Sequence, residues 1–264
     1  MIQLLNYKNF AEKLDIKKGE ILLLNSNFFN IFLKARTKKK TFDFDMFIDA
    51  IISKIGKKGT LLIPAYSWEF CKTQNFDFNK TKSICGSLPN YFIGKNRFYR
   101  SNNPIYSFLI RGFYQRYLCS LKNDDSFGKK SIFNFLIKKK AKNIFFDIDY
   151  KDSFTFVHVA EQEAKVSYRF KKKFTGFCMK NGKRIKVSTI VFSRKLETGV
   201  KGTKIDSSFD NILVNKKAII YKKLMNINCQ IIDVFKANEI MKKLFKKKKN
   251  KYIYPVYRKI INHF

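Results

Sequence analysis

Gly19-Glu20-Ile21-Leu22-Leu23-Leu24-Asn25-Ser26 is the stretch from which the fold is read. A glycine precedes an apolar run of strand length, residues 20–24, and the small polar residues Asn25-Ser26-Asn27 follow it. Upstream, residues 10–14 suit a short helix. Downstream, Phe42, Met46, Phe47, Ala50, Ile51 and Ile55 recur at helical spacing and stop at Gly56. Thr60–Pro64 is the next strand, and residues 107–110 suit another. Residues 144–148 read as a strand, followed by a helical pattern near 155–164. Residues 185–192 alternate as a strand does, and 219–221 and 230–234 are short strand candidates. Residues 237–245 form an amphipathic helix. Strands alternating with helices predict an α/β fold: one α/β/α layered domain with a mostly parallel central sheet covered on both faces.

The 264 residues suit one large domain, or two that share a core. With 45% hydrophobic and 16% aromatic residues, the chain is too apolar to be disordered. No repeat and no Pro- or Ser/Gly-rich linker divides it. A single domain is therefore expected over residues 1–264, with a Lys-rich tail from about residue 242. The lysine runs at 38–40, 138–140, 171–173 and 246–249 look like loops or helix ends. The N-terminal residues lack a signal-peptide layout, and no apolar run approaches the ~18 residues that span a bilayer. The expected location is cytoplasmic, without a membrane span. Cys71, Cys85, Cys119, Cys178 and Cys229 form no CxxC pair, and the chain has two histidines, so no metal site is expected. Scattered reduced thiols fit instead.

The charge is extreme: 55 Lys+Arg against 20 Asp+Glu, a formal +35. AT-rich coding accounts for many lysines but not for the shortage of acids. Such a field favours anionic partners: nucleic acid, acidic membranes, CoA or nucleotide-sugars. The lysines are dispersed, however, and no zinc-finger spacing, RNP motif or heptad-linked basic region is present. A solvated lysine surface explains much of the excess. A basic protein that binds nucleic acid or an acidic surface without catalysis remains the alternative reading.

His158 sits in a helical pattern, with Thr155 three residues before it and Glu161 three after it. Each is a helical neighbour of the ring. A carboxylate there can orient the imidazole and stabilise its protonated form. The same spacing also describes a surface histidine paired casually with Glu161, and the residues alone leave both readings open. His263 is incidental.

Six segments carry a resemblance to the antibiotic N-acetyltransferase family, which includes the aminoglycoside 3-N-acetyltransferases. Residues 19–26 resemble its strand into a His-Ser-Ser loop, with Asn25 in place of the histidine. Gly59-Thr60-Leu61-Leu62-Ile63-Pro64 resembles its second strand. Phe76-Asp77 with Ser83-Ile84-Cys85-Gly86-Ser87-Leu88-Pro89 resembles F-D…S-x-x-G-x-L-P. Arg100-Ser101-Asn102-Asn103-Pro104-Ile105-Tyr106-Ser107 resembles R-S-x-H-P-T-H-S. Asp125-Ser126-Phe127-Gly128 with Ser131 resembles S-F-G-x-x-S, and Thr155-Phe156-Val157-His158-Val159-Ala160-Glu161 resembles T-x-x-H-x-x-E. The order and spacing agree over roughly residues 9–235.

The resemblance implies an acetyl-CoA-dependent N-acetyltransferase acting by direct transfer. His158 would be the general base, with Glu161 and Thr155 beside it. It also implies that Asn25, Ser26, Ser107, Ser126, Phe127, Gly128 and Ser131 lie along the CoA arm; small-residue loops and helix N-termini suit its phosphates, although they are also ordinary turn residues. Phe28-Phe29, Tyr66, Trp68 and Tyr106 are candidates for stacking on a sugar ring, and Asp152 and Glu163 for gripping an amine or orienting His158. The partner expected is a small-molecule amine, an amino sugar or an aminoglycoside, and not nucleic acid; a homo-oligomer is left open. The family histidines are replaced by Asn25, Asn103 and Tyr106, which opens the choice of acceptor. An aminoglycoside is polycationic and suits a +35 chain poorly, whereas a nucleotide-linked amino sugar would be attracted to it.

Overall fold

The computed structural model describes residues 6–122, 124–247 and 250–258; residues 1–5, the last two lysines of the 246–249 run and His263 lie outside them. The strands are β1 (Ile21–Ser26), β2 (Thr60–Pro64), β3 (Asn75–Asp77), β4 (Tyr99–Arg100), β5 (Phe108–Gly112), β6 (Lys142–Phe146), β7 (Arg169–Lys180), β8 (Lys183–Arg194), β9 (Val200–Ile205), β10 (Ile219–Leu224), β11 (Ile227–Asp233) and β12 (Ile253–Tyr257). The α-helices are α1 (Tyr7–Lys13), α2 (Phe29–Thr37), α3 (Phe44–Ile55), α4 (Glu69–Thr73), α5 (Ser87–Phe92), α6 (Gln115–Ser120), α7 (Ile132–Lys138), α8 (Val157–Glu163), α9 (Phe209–Asn215) and α10 (Val234–Phe245).

The main sheet has the order β10-β11-β6-β1-β2-β5-β4. The three strands at its heart, β6, β1 and β2, run parallel, with Leu22 opposite Leu61 and Leu24 opposite Ile144. The flanking pairs are antiparallel, so the sheet is mixed around a parallel centre. The apolar run at 21–24 is needed because both faces are covered. Leu22 and Leu24 pack with Phe10, Phe47 and Ile51 of α1 and α3 on one face. Ile21 and Leu23 belong to the opposite core, with Phe133 and Leu136 of α7 and Val157 and Ala160 of α8. Helix α3 begins where the Asp43 side chain accepts from the Met46 N–H at 3.0 Å and ends at Gly56, a side-chain cap at one end and a glycine at the other.

Two expectations differ from the structure. Lysines 171–173 do not mark a loop. They lie within β7, which forms a long antiparallel hairpin with β8 from Arg169↔Arg194 to Lys180↔Lys183. Both faces of much of this hairpin meet solvent, so lysine is tolerated where a sheet-core strand would exclude it. Its turn is Asn181-Gly182, both at positive φ (49° and 74°), the backbone that Asn-Gly hairpin turns require. The Lys-rich end is not a tail from residue 242 either. Helix α10 continues to Phe245, and β12 pairs with β9, Ile253 opposite Ile205 and both buried. The runs at 38–40 and 138–140 do fall at helix ends, after α2 and α7. The five cysteines are unpaired. Among the described residues, no helix is long and apolar enough to cross a membrane.

Candidate active site

A crevice opens where β6, β1 and β2 end, the position at which open α/β sheets bind ligands. Its cavity measures about 620 Å³. Asn25, Ser26 and Asn27 line it after β1, Pro64 and Tyr66 at β2, and Asp152, Ser153 and Thr155 in the turn before α8. Phe28, Phe29 and Ile84 add apolar walls. The Asn27 Oδ1 accepts the Phe29 N–H at 3.1 Å as α2 begins, so a helix N-terminus, favourable to anions, stands beside the cavity. The Asn25 Nδ2 donates to the Asn143 Oδ1 on β6 at 2.5 Å, which anchors the loop to the neighbouring strand.

His158 and Glu161 lie on α8 at i,i+3 and meet there, His158 Nδ1 to Glu161 Oε2 at 2.6 Å. Glu161 is fully buried, and a buried carboxylate demands partners. It has them from three other elements. The Tyr168 hydroxyl donates to Oε1 at 2.9 Å, and the Thr203 hydroxyl donates to the same oxygen. Arg169 Nε lies 2.8 Å from Oε2. That nitrogen is off the hydrogen-bond line, so the contact acts as an ion pair. The other guanidinium nitrogens are fixed by the Phe192 carbonyl at 3.1 Å and Thr203 Oγ1 at 2.9 Å.

Burial alone would raise the Glu161 carboxyl; His158, Arg169 and the Thr203 hydroxyl bring it below the usual carboxylate range. Burial, joined by the nearby Arg169 charge, holds the His158 ring below the usual histidine range despite the opposing pull of Glu161. An ionised carboxylate can only accept, so Nδ1 carries the ring hydrogen and the Nε2 lone pair is left available. The His158 side chain remains 20% exposed, which leaves a path to it.

The pH behaviour follows. His158 should be neutral at pH 7 and protonate below the ordinary value of 6.5. Because the unfolded ring takes its proton first, this group's contribution to stability is complete above the unfolded value and is lost as pH falls through the folded one. Arg169→Met removes a charge that lowers the ring's pKa, so the titration should move upward. Histidine ring NMR checks this directly: the sequence has two histidines, and His158→Ala assigns the signals. A His158 midpoint above the ordinary value in the unmodified protein would contradict the geometry.

Aromatic rings connect the crevice to the histidine. Tyr66 meets Tyr106 at 5.0 Å between centroids, Tyr106 meets Phe127 at 4.9 Å, and Phe127 meets His158 at 5.4 Å. Tyr66 and Thr155 line the same crevice, and Thr155 stands one turn before His158. Beyond Tyr106 a second cavity of about 560 Å³ is lined by Trp68, Tyr106, Arg169 and Phe192 among others. Thr155 thus faces one cavity while Tyr106 and Arg169 face the other; His158 and Glu161 line neither, and are joined to the second through Phe127 and Arg169.

The residues expected along a CoA arm, at the acceptor and beside the histidine divide. Asn25 and Ser26 line the crevice with Tyr66, Asp152 and Thr155. Trp68 and Tyr106 line the second cavity. Phe127 and Gly128 border a third, of about 860 Å³. Ser107, Ser126 and Ser131 are fully buried, and their hydroxyls are used inside the protein. Ser107 donates to the Ala65 carbonyl at 2.6 Å and accepts from Arg100 Nε at 3.0 Å. Ser126 accepts from Asn103 Nδ2 at 3.0 Å, and Ser131 accepts the Asn134 N–H that opens α7. Their side chains shape the loops rather than line the crevice. Glu163 pairs with Lys242 at 3.5 Å, away from His158.

Asn103, one of the positions where a family histidine is replaced, is buried and tied into this framework. Its Oδ1 accepts the Ile105 and Tyr106 N–H groups at 2.9 and 2.8 Å, and its amide also reaches Thr189 Oγ1 at 3.1 Å. Arg100, pushed down to about 10 by burial, ties the Ala65 and Thr81 carbonyls at 2.8 and 2.7 Å. Neither Arg100 nor the Glu161 partners Tyr168, Arg169 and Thr203 is singled out by the sequence as a site residue. Among the described residues, no group of His, Cys, Asp and Glu could hold a metal ion.

Comparison with known proteins shows the family and the fold. A family model for aminoglycoside 3-N-acetyltransferase matches residues 38–246. No curated protein matches the chain by sequence. Among solved structures, AAC-IIIb in a binary complex with CoASH aligns at a TM-score of 0.73 and 15% identity, over 94% of this chain and 98% of that one. Aminoglycoside acetyltransferase AAC(3)-Xa aligns at 0.71 and 15%, over 92% of each chain. The YokD protein from Bacillus subtilis aligns at 0.69 and 19%, over 93% of this chain and 99% of that one. At these identities the likeness is one of fold.

Proposed function

The chain belongs to the aminoglycoside 3-N-acetyltransferase family, and we propose that it moves an acetyl group from acetyl-CoA directly to an amino group on an amino sugar or aminoglycoside, with His158 as the general base. The observation that carries this reading is the His158–Glu161 pair: one ring nitrogen is committed to a fully buried carboxylate, so the other is left for proton transfer.

Acetyl-CoA supplies the activated acetyl group. The crevice suits its slender arm: a polar edge at Asn25, Ser26 and Asn27, apolar walls at Phe28, Phe29 and Ile84, and a volume of about 620 Å³. The residues then have separate tasks. His158 Nε2 takes the proton that the amine must lose as its nitrogen bonds to carbon. Glu161 accepts from Nδ1–H and stabilises the imidazolium that forms. Arg169, Tyr168 and Thr203 keep that carboxylate ionised and in place; they act through Glu161 as positioning residues. The proton on Nε2 is finally returned to the leaving thiolate. Phe127 packs its ring against the imidazole and limits its rotation.

Direct transfer has a kinetic signature. With acetyl-CoA and the amine both varied, double-reciprocal plots should intersect, because both substrates are bound before either product leaves. Parallel lines would indicate an acetylated enzyme and contradict direct transfer.

A further inference from the structure

We propose that the second cavity is the acceptor subsite and that it takes an amino sugar bearing a phosphate group, in preference to a polycationic antibiotic. This rests on the acetyl-transfer reading above and narrows its acceptor.

The cavity of about 560 Å³ has an aromatic end and a cationic end. Trp68, 38% exposed, and Tyr106 stand edge to face, 5.5 Å between centroids. They offer ring surface for the apolar face of a sugar. Around the rest stand Lys72 from α4, Lys172 from β7 and Arg194 at the end of β8, with Glu197 as the acidic member. No ion-pair partner holds Lys72, Lys172 or Arg194 among the described residues; Lys172 lies over the Phe174 ring at 5.2 Å. Arg169 also lines the cavity, but its charge is engaged with Glu161.

The lining therefore carries a net positive charge, and two of its members, Tyr106 and Arg169, lead to the His158–Glu161 pair. A phosphate is drawn to that charge, and several ammonium groups are repelled. The geometry also joins the subsite to the chemistry. Tyr106 packs on Phe127, which packs on His158, and Arg169 touches Glu161, so the Tyr106–Arg169 wall of the cavity backs onto the His158–Glu161 pair. The +35 of the whole chain says nothing about one site; the grouping of these three cations around this cavity does.

The test measures thiol release from acetyl-CoA with glucosamine, glucosamine 6-phosphate, a UDP-linked amino sugar, kanamycin and gentamicin. A Lys172→Gln/Arg194→Gln double variant is run beside the unmodified protein, and melting curves confirm that it is folded. Either phosphorylated acceptor should exceed glucosamine in kcat/KM by roughly tenfold or more at low salt, with the advantage shrinking as salt rises. The double variant should lose most of that advantage. The two phosphorylated arms separate a sugar phosphate from a nucleotide-linked sugar. A higher kcat/KM for kanamycin or gentamicin, or an advantage that the double variant keeps, overturns the inference while leaving N-acetyl transfer intact. Failure of the transferase reading is seen separately, as no turnover with any amine and no acetyl-CoA binding. Calorimetric titration of glucosamine 6-phosphate then still decides the inference, since no binding, or equal binding by the double variant, overturns it.

Discussion

Glu161→Gln is expected to lower the melting temperature by on the order of 10 °C and to slow turnover in the same protein. Glu161 is fully buried, and its carboxylate balances Arg169, itself 8% exposed. An amide of the same shape leaves that guanidinium without a counter-charge. Removing one partner of a buried ion pair costs roughly 3–5 kcal/mol, and for a domain of this size each kcal/mol is about 2–4 °C in Tm. The amide also places an N–H among groups that all donate: Tyr168, Thr203 and His158. Glu161→Gln/Arg169→Met should recover part of the lost stability, because the stranded charge is gone. It should not recover kcat, because nothing then orients the imidazole or stabilises its charged form. Thermal melts and initial rates on the three proteins check this. An unchanged Tm for Glu161→Gln would mean that the carboxylate is not the charge partner the distances indicate.

His158→Ala should have the opposite balance. Its kcat should fall by about 10²–10⁴, the range that a positioned general base contributes. Its melting temperature should change little, because the ring is 20% exposed and leaves Glu161 still held by Arg169, Tyr168 and Thr203. Acetyl-CoA affinity should be retained, because the crevice is lined by other residues. Calorimetry for binding and thiol release for rate separate the two effects. Equal loss of folding, binding and activity would make the histidine structural.

Why the pair is legible in the sequence and its support is not follows from chain distance. His158 and Glu161 are three residues apart on one helix, so spacing alone brings them together. Arg169 opens the next strand and Tyr168 lies in the turn before it, and Thr203 comes 42 residues after Glu161. No local period connects them. The apolar runs at 21–24 and 60–64 identify the buried parallel strands because a strand covered on both faces must be apolar throughout. The β7–β8 hairpin hides the same way lysine-rich loops do: its exposed faces tolerate the run at 171–173, and the Asn181-Gly182 turn was the signal that could have exposed it. Ser107, Ser126 and Ser131 fit a motif, but a motif does not say which way a hydroxyl points. Here the hydroxyls meet Ala65, Asn103 and Asn134. The charge around the second cavity was likewise invisible, because Lys72, Lys172 and Arg194 come together only when α4 packs beside the hairpin.

Amine-dependent release of free thiol from acetyl-CoA, followed with amino sugars and aminoglycosides for the unmodified protein and His158→Ala together, tests the central claim most directly. The account predicts release with at least one amino sugar, reduced about 10²–10⁴-fold in the variant while acetyl-CoA binding persists. Silence with every amine, together with no detectable acetyl-CoA binding by the unmodified protein, would contradict it and return the chain's +35 to the reading of a basic binding protein without catalysis.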